Sequence, residues 1–233
     1  MNLFYTQRIN DTWAFLEEEE SKHLMQVLRK KVGDVVHLID GKGGRYKGEL
    51  FECTKRQCTV KISEKAQDPP PAFHLHLGIA PTKNMNRIEW LLEKSVEMGI
   101  SEISLLQCFH SERRKVRMDR LERIVLSATK QSLKSYLPKI NPLLDLKTFV
   151  DKPFGDNQKF IAYIDDSIKG HLKDNYIPGK DVIILIGPEG GFSPDEALLA
   201  SKKGYEQVSL GPSRLRTETA GLVAVNIFNV LNQ

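Results

Sequence analysis

Three consecutive prolines, Pro69 to Pro71, divide the chain into two parts that differ in hydrophobic pattern. Proline has no backbone N–H to donate and its ring fixes φ, so such a run favours a stiff spacer over a helix or an inner strand. Strand-like runs and turn residues alternate before the prolines, whereas strand-like and helix-like segments alternate after them. We therefore predict one domain at residues 1–70 and another at residues 71–233.

The first part has the pattern of a small, mostly β domain. Its strand-like runs are rich in β-branched and aromatic residues and are joined by turns that contain glycine. These runs cover Val35 to Asp40, Tyr46 to Cys53 and Gln57 to Ser63, and one short helix is expected around Ser21 to Arg29. We predict that this part forms a β-barrel.

The second part has the pattern of an α/β domain with a parallel sheet. Its apolar runs are short and β-branched, which is typical of strands buried on both faces, and helical faces separate several of them. The strands are expected at Phe73 to Ile79, Glu102 to Gln107, Phe160 to Ile164, Val182 to Ile186 and Gln207 to Leu210. The helices are expected at Ile88 to Val96, Met118 to Ser135 and Ala220 to Leu231.

The composition argues against a membrane protein and a disordered one. Hydrophobic residues make up 40% and charged residues 27%, which is the ordinary range for folded domains. No apolar run approaches the roughly 18 residues that a membrane span needs, and the first residues lack the pattern of a signal peptide. We therefore expect a folded, cytoplasmic protein.

The sequence predicts no metal site. The cysteines, Cys53, Cys58 and Cys108, are odd in number and lack a Cys-x-x-Cys spacing, so we expect buried thiols and neither a disulfide framework nor a zinc knuckle. His74 and His76 share a strand face, but no third ligand lies near them in the sequence. We expect these histidines to face solvent or to be hydrogen-bonded.

The positive charge is segregated. Lys22 to Lys65 and Ser111 to Lys139 each carry a formal charge of +6, although the whole chain carries only +4. Clustered cations are what binding to nucleic-acid phosphates needs, because they displace condensed counterions. Two solvated surface faces would give the same counts, so the charge alone does not decide between these readings.

The first informative loop follows the strand Val182 to Ile186 and reads Gly187-Pro188-Glu189-Gly190-Gly191-Phe192. Its glycines allow backbone to approach a ligand closely, at the sheet edge where open α/β sheets bind ligands. It matches neither familiar phosphate-binding motif, and a purely structural turn is the alternative. Ser193 and Glu196 have the spacing of a capping box at the start of the next helix.

The second loop follows the strand that ends at Leu210 and reads Gly211-Pro212-Ser213-Arg214-Leu215-Arg216-Thr217-Glu218. An apolar helix comes after it, and Thr217 or Thr219 could cap that helix. Two loops of Gly, Pro, hydroxyl and carboxylate residues at neighbouring strand ends would form a crevice for a small polar cofactor.

Five separated motifs, in the same order, resemble the RsmE family of 16S rRNA uracil-N3 methyltransferases over nearly the whole chain. They are His23 to Arg29, Arg87 to Gly99, Ser111 to Arg114, Ile186 to Phe192 and Ser209 to Ala220. One departure falls in the central helix, where Lys130 and Lys134 stand in a stretch in which the family is expected to show an acidic residue and an arginine. Lysine lacks the planar fork of arginine, so no role is carried over to these positions.

The resemblance implies a SPOUT-type α/β fold, in which a parallel sheet ends in a carboxyl-terminal trefoil knot, preceded by a small PUA-like β-barrel that binds RNA. It further implies S-adenosylmethionine as cofactor, 16S rRNA of the small ribosomal subunit as substrate, and a homodimer. General topology rules would have argued against a knot, so this expectation rests on the resemblance alone.

Two side chains of the second loop are the candidate catalytic residues. Uracil N3 is a poor nucleophile until its proton leaves, so a cation beside the developing anion would help, and we assign that role to Arg216. Glu218 or a water would take the proton. The alternatives are that Arg216 is a surface cation paired with Glu218, and that Glu218 only stabilises the helix dipole.

The remaining site assignments concern the cofactor and the RNA. By likeness to the family pocket, the cofactor contacts are Ile186, Gly187, Glu189, Gly190, Gly191, Leu210, Leu215 and Thr217. The phosphate contacts, chosen from the two basic segments, are Arg29, Lys42, Arg45, Arg113 and Arg114. The rival functions are a SPOUT methyltransferase for another RNA base and a non-catalytic RNA-binding or ribosome-assembly factor.

Overall fold

The computed structural model describes residues 2–54, 56–164 and 170–233. The chain forms two compact units. The first consists of Met1–Pro70 and Leu126–Leu137, and the second of Pro71–Val125 and Pro138–Gln233. None of the helices in the described part of the chain is long and apolar enough to cross a membrane.

The first unit is built on a five-stranded sheet with the order β1-β3-β4-β5-β2. The strands are β1 (Leu3–Tyr5), β2 (Trp13–Leu16), β3 (Val35–Ile39), β4 (Gly44–Cys53) and β5 (Cys58–Gln67). Strand β1 runs parallel to β3, and the other pairs are antiparallel. The mostly β prediction is confirmed, although β1 and β2 were not predicted because they are too short to show a clear alternation.

One face of this sheet packs against a short helical segment. Helix α1 (Glu18–Lys22) continues directly into a π-helical turn at His23–Val27, within the predicted helical region. Leu24 of this turn is fully buried with Phe4, Leu16 and Val36. Burial of these apolar side chains is the main stabilisation of the unit, at about 25 cal/mol for each Å² removed from water.

The segment Leu126–Leu137 completes the first unit through hydrogen bonds to the strand ends. Gly43 N donates to Ser135 O at 3.1 Å, and Leu137 N donates to Gly41 O at 3.0 Å. The Asp68 carboxylate accepts from the Ser135 hydroxyl and the Arg45 guanidinium, which holds its pKa below the ordinary range. Residues 126–137 are thus part of the first unit although they are remote from it in sequence.

Lys130 forms an ion pair with Glu20 inside the first unit. The side chains are only 18% and 10% exposed, so little water screens the pair. Lys130, one of the two lysines at which the chain departs from the family pattern, therefore has a structural partner.

The prediction of three free thiols is wrong for two of the cysteines. Cys53 and Cys58 lie opposite each other at the closed end of the β4–β5 hairpin and form a disulfide, whereas Cys108 is a buried free thiol. The sequence spacing did not show this pair, because it depends on the register of the hairpin.

The second unit is an α/β domain around a six-stranded sheet with the order β11-β9-β10-β6-β7-β8. The strands are β6 (Leu75–Ile79), β7 (Glu102–Gln107), β8 (Lys139–Asp145), β9 (Gln158–Ala162), β10 (Val182–Ile186) and β11 (Glu206–Val208), and each neighbouring pair is parallel. Strands β6 and β10 are buried throughout. The predicted parallel sheet is confirmed, and the knot that the resemblance implies stays a prediction.

The helices of the second unit are α2 (Met85–Glu97), α4 (Leu146–Val150), α5 (Leu172–Asn175), α6 (Pro194–Lys202) and α7 (Thr217–Leu231), while α3 (Met118–Gln131) extends from the second unit into residues of the first. Helix α3 ends before the predicted Ser135 because Leu133 adopts a positive φ of 55°, which a continuing right-handed helix cannot accommodate. The predicted capping box of α6 is confirmed at Ser193 and Glu196.

Candidate active site

Four loops that the structure describes in full leave the carboxyl edge of the parallel sheet of the second unit. They follow β6 (residues 80–84), β7 (residues 108–117), β10 (residues 187–193) and β11 (residues 209–216). All strands of this sheet run in the same direction, so these loops emerge at one edge, where open α/β sheets bind ligands. Both glycine-containing loops of the sequence analysis are among them.

The β10 loop is shaped by its glycines. Gly191 has a φ of +73°, a conformation that side chains disfavour, and its N–H donates to Pro188 O at 2.8 Å. A Cβ atom on Gly190 would lie 2.9 Å from the Cβ of His110, which is closer than real Cβ atoms approach. The loop therefore packs against the His110 side chain of the β7 loop at Gly190, whereas at Gly191 nothing lies within 4 Å of the place where a Cβ atom would be.

Side chains of the β10 loop and helix α6 fasten it to the loops of β6 and β7. Glu189 Oε1 accepts from Lys83 N at 3.0 Å, and Glu196 Oε1 accepts from Phe109 N at 2.7 Å. His110 Nδ1 lies 3.1 Å from Gly191 O. The Glu189 side chain, a candidate cofactor contact, is thus already engaged by the protein, and its loop is held in place by three separate contacts.

Arg113 joins the same arrangement. Its Nε donates to Thr82 O at 3.2 Å, and its Nη2 donates to Lys83 O. Sequence reasoning assigned Arg113 to phosphate binding, whereas the structure places two of its donors on backbone carbonyls of the β6 loop. The assignment of Arg113 to phosphate binding stays a prediction. It would use the guanidinium N–H groups that these two bonds do not occupy.

The β11 loop is held by its first residue. Ser209 N donates to Gly170 O, Ser209 O accepts from Leu172 N, and the Ser209 hydroxyl accepts from Gly211 N, at distances of 2.9, 2.9 and 3.1 Å. Gly211 has a φ of +118°. Leu210 and Leu215 are half-buried, so part of each side chain is accessible at the surface of this loop.

The helix that follows this loop begins earlier than the sequence indicated. Arg216 is the N-cap residue of α7, with no side-chain cap bond, and Thr217 is already helical. The prediction that Thr217 or Thr219 caps the helix is therefore wrong, because both hydroxyls fall inside the first turn. Arg216 is exposed, whereas Thr217 and Glu218 are buried.

Glu218 is a buried carboxylate with one ionic partner in the described part of the chain. Its side chain lies in the first turn of α7, and Oε1 is 3.6 Å from Nε of Arg87 at the start of α2. Oε2 is buried and has no hydrogen-bond partner among the residues that the structure describes. The surface pair of Arg216 with Glu218, one alternative of the sequence analysis, is replaced by the pair with Arg87.

Arg87 is the site residue that sequence reasoning missed. It appeared only as the first letter of one motif of the resemblance, and it lies far from Glu218 in sequence. A lone charged residue at a helix start gives no signal by itself. Only the packing of α2 against α7 brings the two side chains together.

These features fit S-adenosylmethionine. Ile186 is buried at the strand end, Gly191 is open on the side where a Cβ atom would lie, and the β11 loop has half-buried apolar side chains. A bound ligand with an N–H or O–H donor would also complete the buried Oε2 of Glu218, which is costly to leave without a partner. The cofactor residues predicted from the sequence in these two loops stay candidates.

The other candidate phosphate contacts differ in availability. Arg29, Lys42 and Arg114 are exposed. Arg45 is half-buried, pairs with Asp68 at 2.6 Å and donates to Leu133 O at 2.7 Å. Arg45 therefore has a structural role in the first unit, and the three exposed cations are better placed for phosphate.

The histidines and cysteines form no metal centre in the described part of the chain, where no group of three or more His, Cys, Asp or Glu could hold an ion. His76 is 3% exposed and its Nε2 lies 2.8 Å from the Ser104 hydroxyl. Burial lowers the pKa of His76 to about 4, so it is neutral near pH 7. The expectation of a hydrogen-bonded histidine fits His76.

Comparison with known proteins assigns the family. The RNA methyltransferase domain matches residues 69–229, and the RNA methyltransferase PUA domain matches residues 16–63. The ribosomal RNA small subunit methyltransferase E of Mesomycoplasma hyopneumoniae is 31% identical over 70% of this chain and 73% of its own length. The chain belongs to this RNA methyltransferase family. Its fold is therefore a mixed α/β methyltransferase domain with an amino-terminal PUA domain.

Two solved structures are similar to the chain over nearly their whole length. A probable rRNA-methyltransferase from Porphyromonas gingivalis is 41% identical, with a TM-score of 0.91, covering 100% of this chain and 98% of that one. The ribosomal RNA small subunit methyltransferase E of Neisseria gonorrhoeae, bound to S-adenosyl methionine, is 29% identical, with a TM-score of 0.87 and the same coverage.

Proposed function

We propose that this protein transfers the methyl group of S-adenosylmethionine to N3 of one uridine in the 16S rRNA of the small ribosomal subunit. The observation that carries the proposal is that both glycine-containing loops leave one edge of the sheet in a member of the RNA methyltransferase family. The motifs that resemble the uracil-N3 enzymes support the choice of base and RNA. The protein would act in the cytoplasm, as a homodimer.

The two domains would divide the work. Residues 1–70 would bind RNA, with the segment Leu126–Leu137 as part of the same compact unit, and residues 71–233 would carry the transfer. The match of a PUA domain to residues 16–63 supports the first role. The exposed cations Arg29, Lys42 and Arg114 are the phosphate contacts that we favour, and Arg45 and Arg113 are secondary candidates.

The cofactor would be held mainly by backbone. Ile186, Gly187, Gly190 and Gly191 would contact it from the β10 loop, and Leu210, Leu215 and Thr217 would contact it from the β11 loop and the start of α7; Glu189 would act by holding the β10 loop. When bound, S-adenosylmethionine supplies an electrophilic methyl group. The protein has to orient the uracil toward that methyl group and to remove the N3 proton.

The side chains that handle the uracil would be Arg216 and Glu218. A guanidinium about 4 Å from the developing anion contributes about 4 kcal/mol at an effective dielectric near 20, which lowers the pKa of N3 by about three units at most. Arg216 is exposed, so its guanidinium is free to turn toward a bound base. Oε2 of Glu218, which has no partner in the described chain, is the oxygen that would accept the proton, directly or through a water.

The test is methylation of small ribosomal subunits that lack their base modifications. Purified protein and S-adenosylmethionine carrying a labelled methyl group are added, and the 16S rRNA is then copied by reverse transcriptase. Methylation at N3 blocks Watson–Crick pairing, so we expect a stop at one uridine together with incorporated label.

The other outcomes separate the rival functions. Label without a stop would mean that another atom or base is modified, and label only on a different RNA would mean another substrate. A protein that binds S-adenosylmethionine in calorimetry but transfers no methyl group to any RNA would contradict the enzymatic proposal, as would one that binds neither the cofactor nor subunits.

A further inference from the structure

Phe109 exposes an aromatic ring beside the candidate active site. Its side chain is 77% exposed, compared with 58% for Phe51 and 44% for Trp90. It stands directly after Cys108, where β7 has ended and the loop of residues 108–117 begins. Single exposed apolar residues are common on protein surfaces, so exposure alone carries no function. The surroundings of this ring are what distinguish it.

The backbone that carries Phe109 is fixed on both sides. Phe109 N donates to the Glu196 carboxylate at 2.7 Å. Cys108 N donates to the Ser111 hydroxyl at 2.9 Å, and Ser111 N donates to Cys108 O at 3.0 Å. A side chain on such a backbone loses less conformational freedom when it binds, because its Cα–Cβ direction is already set.

The ring also has a fixed neighbour that belongs to the site. His110 stands edge-on to it, with ring centroids 4.9 Å apart and an interplanar angle of 79°. His110 in turn contacts Gly191 O at 3.1 Å and leaves no room for a side chain on Gly190. The Phe109 ring is therefore joined through His110 to the loop that we assign to the cofactor.

The loop that carries Phe109 is basic. Arg113, Arg114, Lys115 and Arg117 follow it within eight residues, with Glu112 as the acidic residue among them. Glu112 pairs with Lys83 of the neighbouring β6 loop at 3.1 Å, and Arg117 pairs with Asp119 at 3.2 Å. Arg114 and Lys115 are exposed. An exposed aromatic face followed by cations is the combination with which proteins hold unpaired nucleotides.

We infer that Phe109, supported by His110, is a stacking platform for an unpaired nucleobase of the RNA substrate beside the methylated position. This rests on the proposed function. The ring face stacks on the base and the cations of the loop contact the flanking phosphates. Stacking does not depend on which base is present, because every base has a π-face, so the platform contributes affinity and orientation and leaves the choice of uridine to other contacts.

The test compares Phe109→Ala and Phe109→Trp with the unchanged protein, using small ribosomal subunits that lack their base modifications. Ile177→Ala is the matched control. It removes an apolar side chain that is 60% exposed in the same unit, and its N–H bonds to Gln158 at the opposite, amino end of β9. Three quantities are measured: the Kd for subunits by filter binding, the Kd for S-adenosylmethionine by calorimetry, and the oligomeric state by sedimentation.

Loss of the ring should raise the Kd for subunits by about 5- to 100-fold, as expected for one base stacked on an aromatic side chain. Phe109→Trp should restore binding to within about threefold of the unchanged protein, and the control should show no change. The Kd for S-adenosylmethionine and the oligomeric state should be the same in all four proteins. If methyl transfer can be measured, KM should rise with little change in kcat.

Three results would overturn the inference. Subunit binding by Phe109→Ala within twofold of the unchanged protein would exclude a stacked base. A shift of this variant to a smaller oligomer would make Phe109 a protein contact, and an equal loss in the tryptophan variant would exclude stacking as the cause. The binding measurement needs no turnover, so it still tests the platform if the protein proves to transfer no methyl group, which would count against the proposed function alone.

Discussion

Replacement of Arg87 by glutamine should show how much the ion pair with Arg87 stabilises the buried Glu218 carboxylate. Two charges separated by the observed 3.6 Å interact by about 5 kcal/mol at an effective dielectric of 20. The Arg87 side chain is 37% exposed, so solvent screens part of this energy, whereas Glu218 is 9% exposed by the same measure. We expect Arg87→Gln to lower the free energy of unfolding of the second unit by about 2 kcal/mol, mostly through the buried carboxylate left without a partner.

A double-mutant cycle separates the pair from the rest of the side chain. Glu218→Gln removes the charge from the other side, and the double variant removes both. If the pair interacts as the distance indicates, the double variant should be more stable than the sum of the single losses predicts, by about 1–3 kcal/mol. Arg87→Lys, which keeps the charge, is the control and should lose less than Arg87→Gln.

Urea unfolding followed by the fluorescence of Trp90 is the assay. Trp90 lies on α2 with Arg87 and reports the second unit, and Trp13→Phe in every variant removes the only other tryptophan of the sequence. If the free energy lost in the double variant equals the sum of the single losses within about 0.5 kcal/mol, the reasoning is refuted, because the two side chains then do not interact.

Three further predictions concern the site and its support. Arg216→Ala should lower kcat at least about 100-fold while the Kd for S-adenosylmethionine stays within threefold. The control is Arg214→Ala, which changes an exposed arginine of the same loop and should change kcat little. Equal losses of kcat in the two variants would contradict the assignment of Arg216. Gly190→Ala should weaken cofactor binding about tenfold or more, because its Cβ meets that of His110, and His110→Gly in the same chain should restore it in calorimetry. The pKa of His76 is about 4 in the folded protein and about 6.5 in the unfolded one, so stability is full above pH 6.5 and falls by about 3 kcal/mol as the pH drops to 4. His76→Gln should flatten this part of the curve in urea titrations at each pH, and an unchanged slope would exclude His76 as its source.

Short-range pattern predicted much of what positions the site. The strand Val182 to Ile186 was bounded correctly, because a run of β-branched residues between turn residues leaves little ambiguity. The capping box at Ser193 and Glu196 followed from spacing alone. The placement of both glycine-containing loops at one edge followed from the parallel order of the strands.

The contacts that define the site depend on long-range packing, which the sequence pattern does not contain. Glu218 appeared two residues from a cation, Arg216, yet its partner is Arg87, which the packing of α2 against α7 supplies. Arg45 and Arg113 look like solvated cations in a basic segment, and the structure places each on a backbone carbonyl. A count of charges cannot distinguish a guanidinium that is hydrogen-bonded to a loop from one that is available to bind phosphate.

The contribution of Leu126–Leu137 to the first unit affects the order of folding during synthesis. Strands β3, β4 and β5 leave the ribosome early, but the hydrogen bonds of Gly41 and Gly43 to this segment form only after residue 137 has been made. A nascent chain that stops at Pro70 therefore lacks the cation that pairs with the Glu20 carboxylate and the Ser135 hydroxyl that donates to the Asp68 carboxylate. Folding of the amino-terminal unit can therefore be completed only after residues 71–125 of the second unit have been translated.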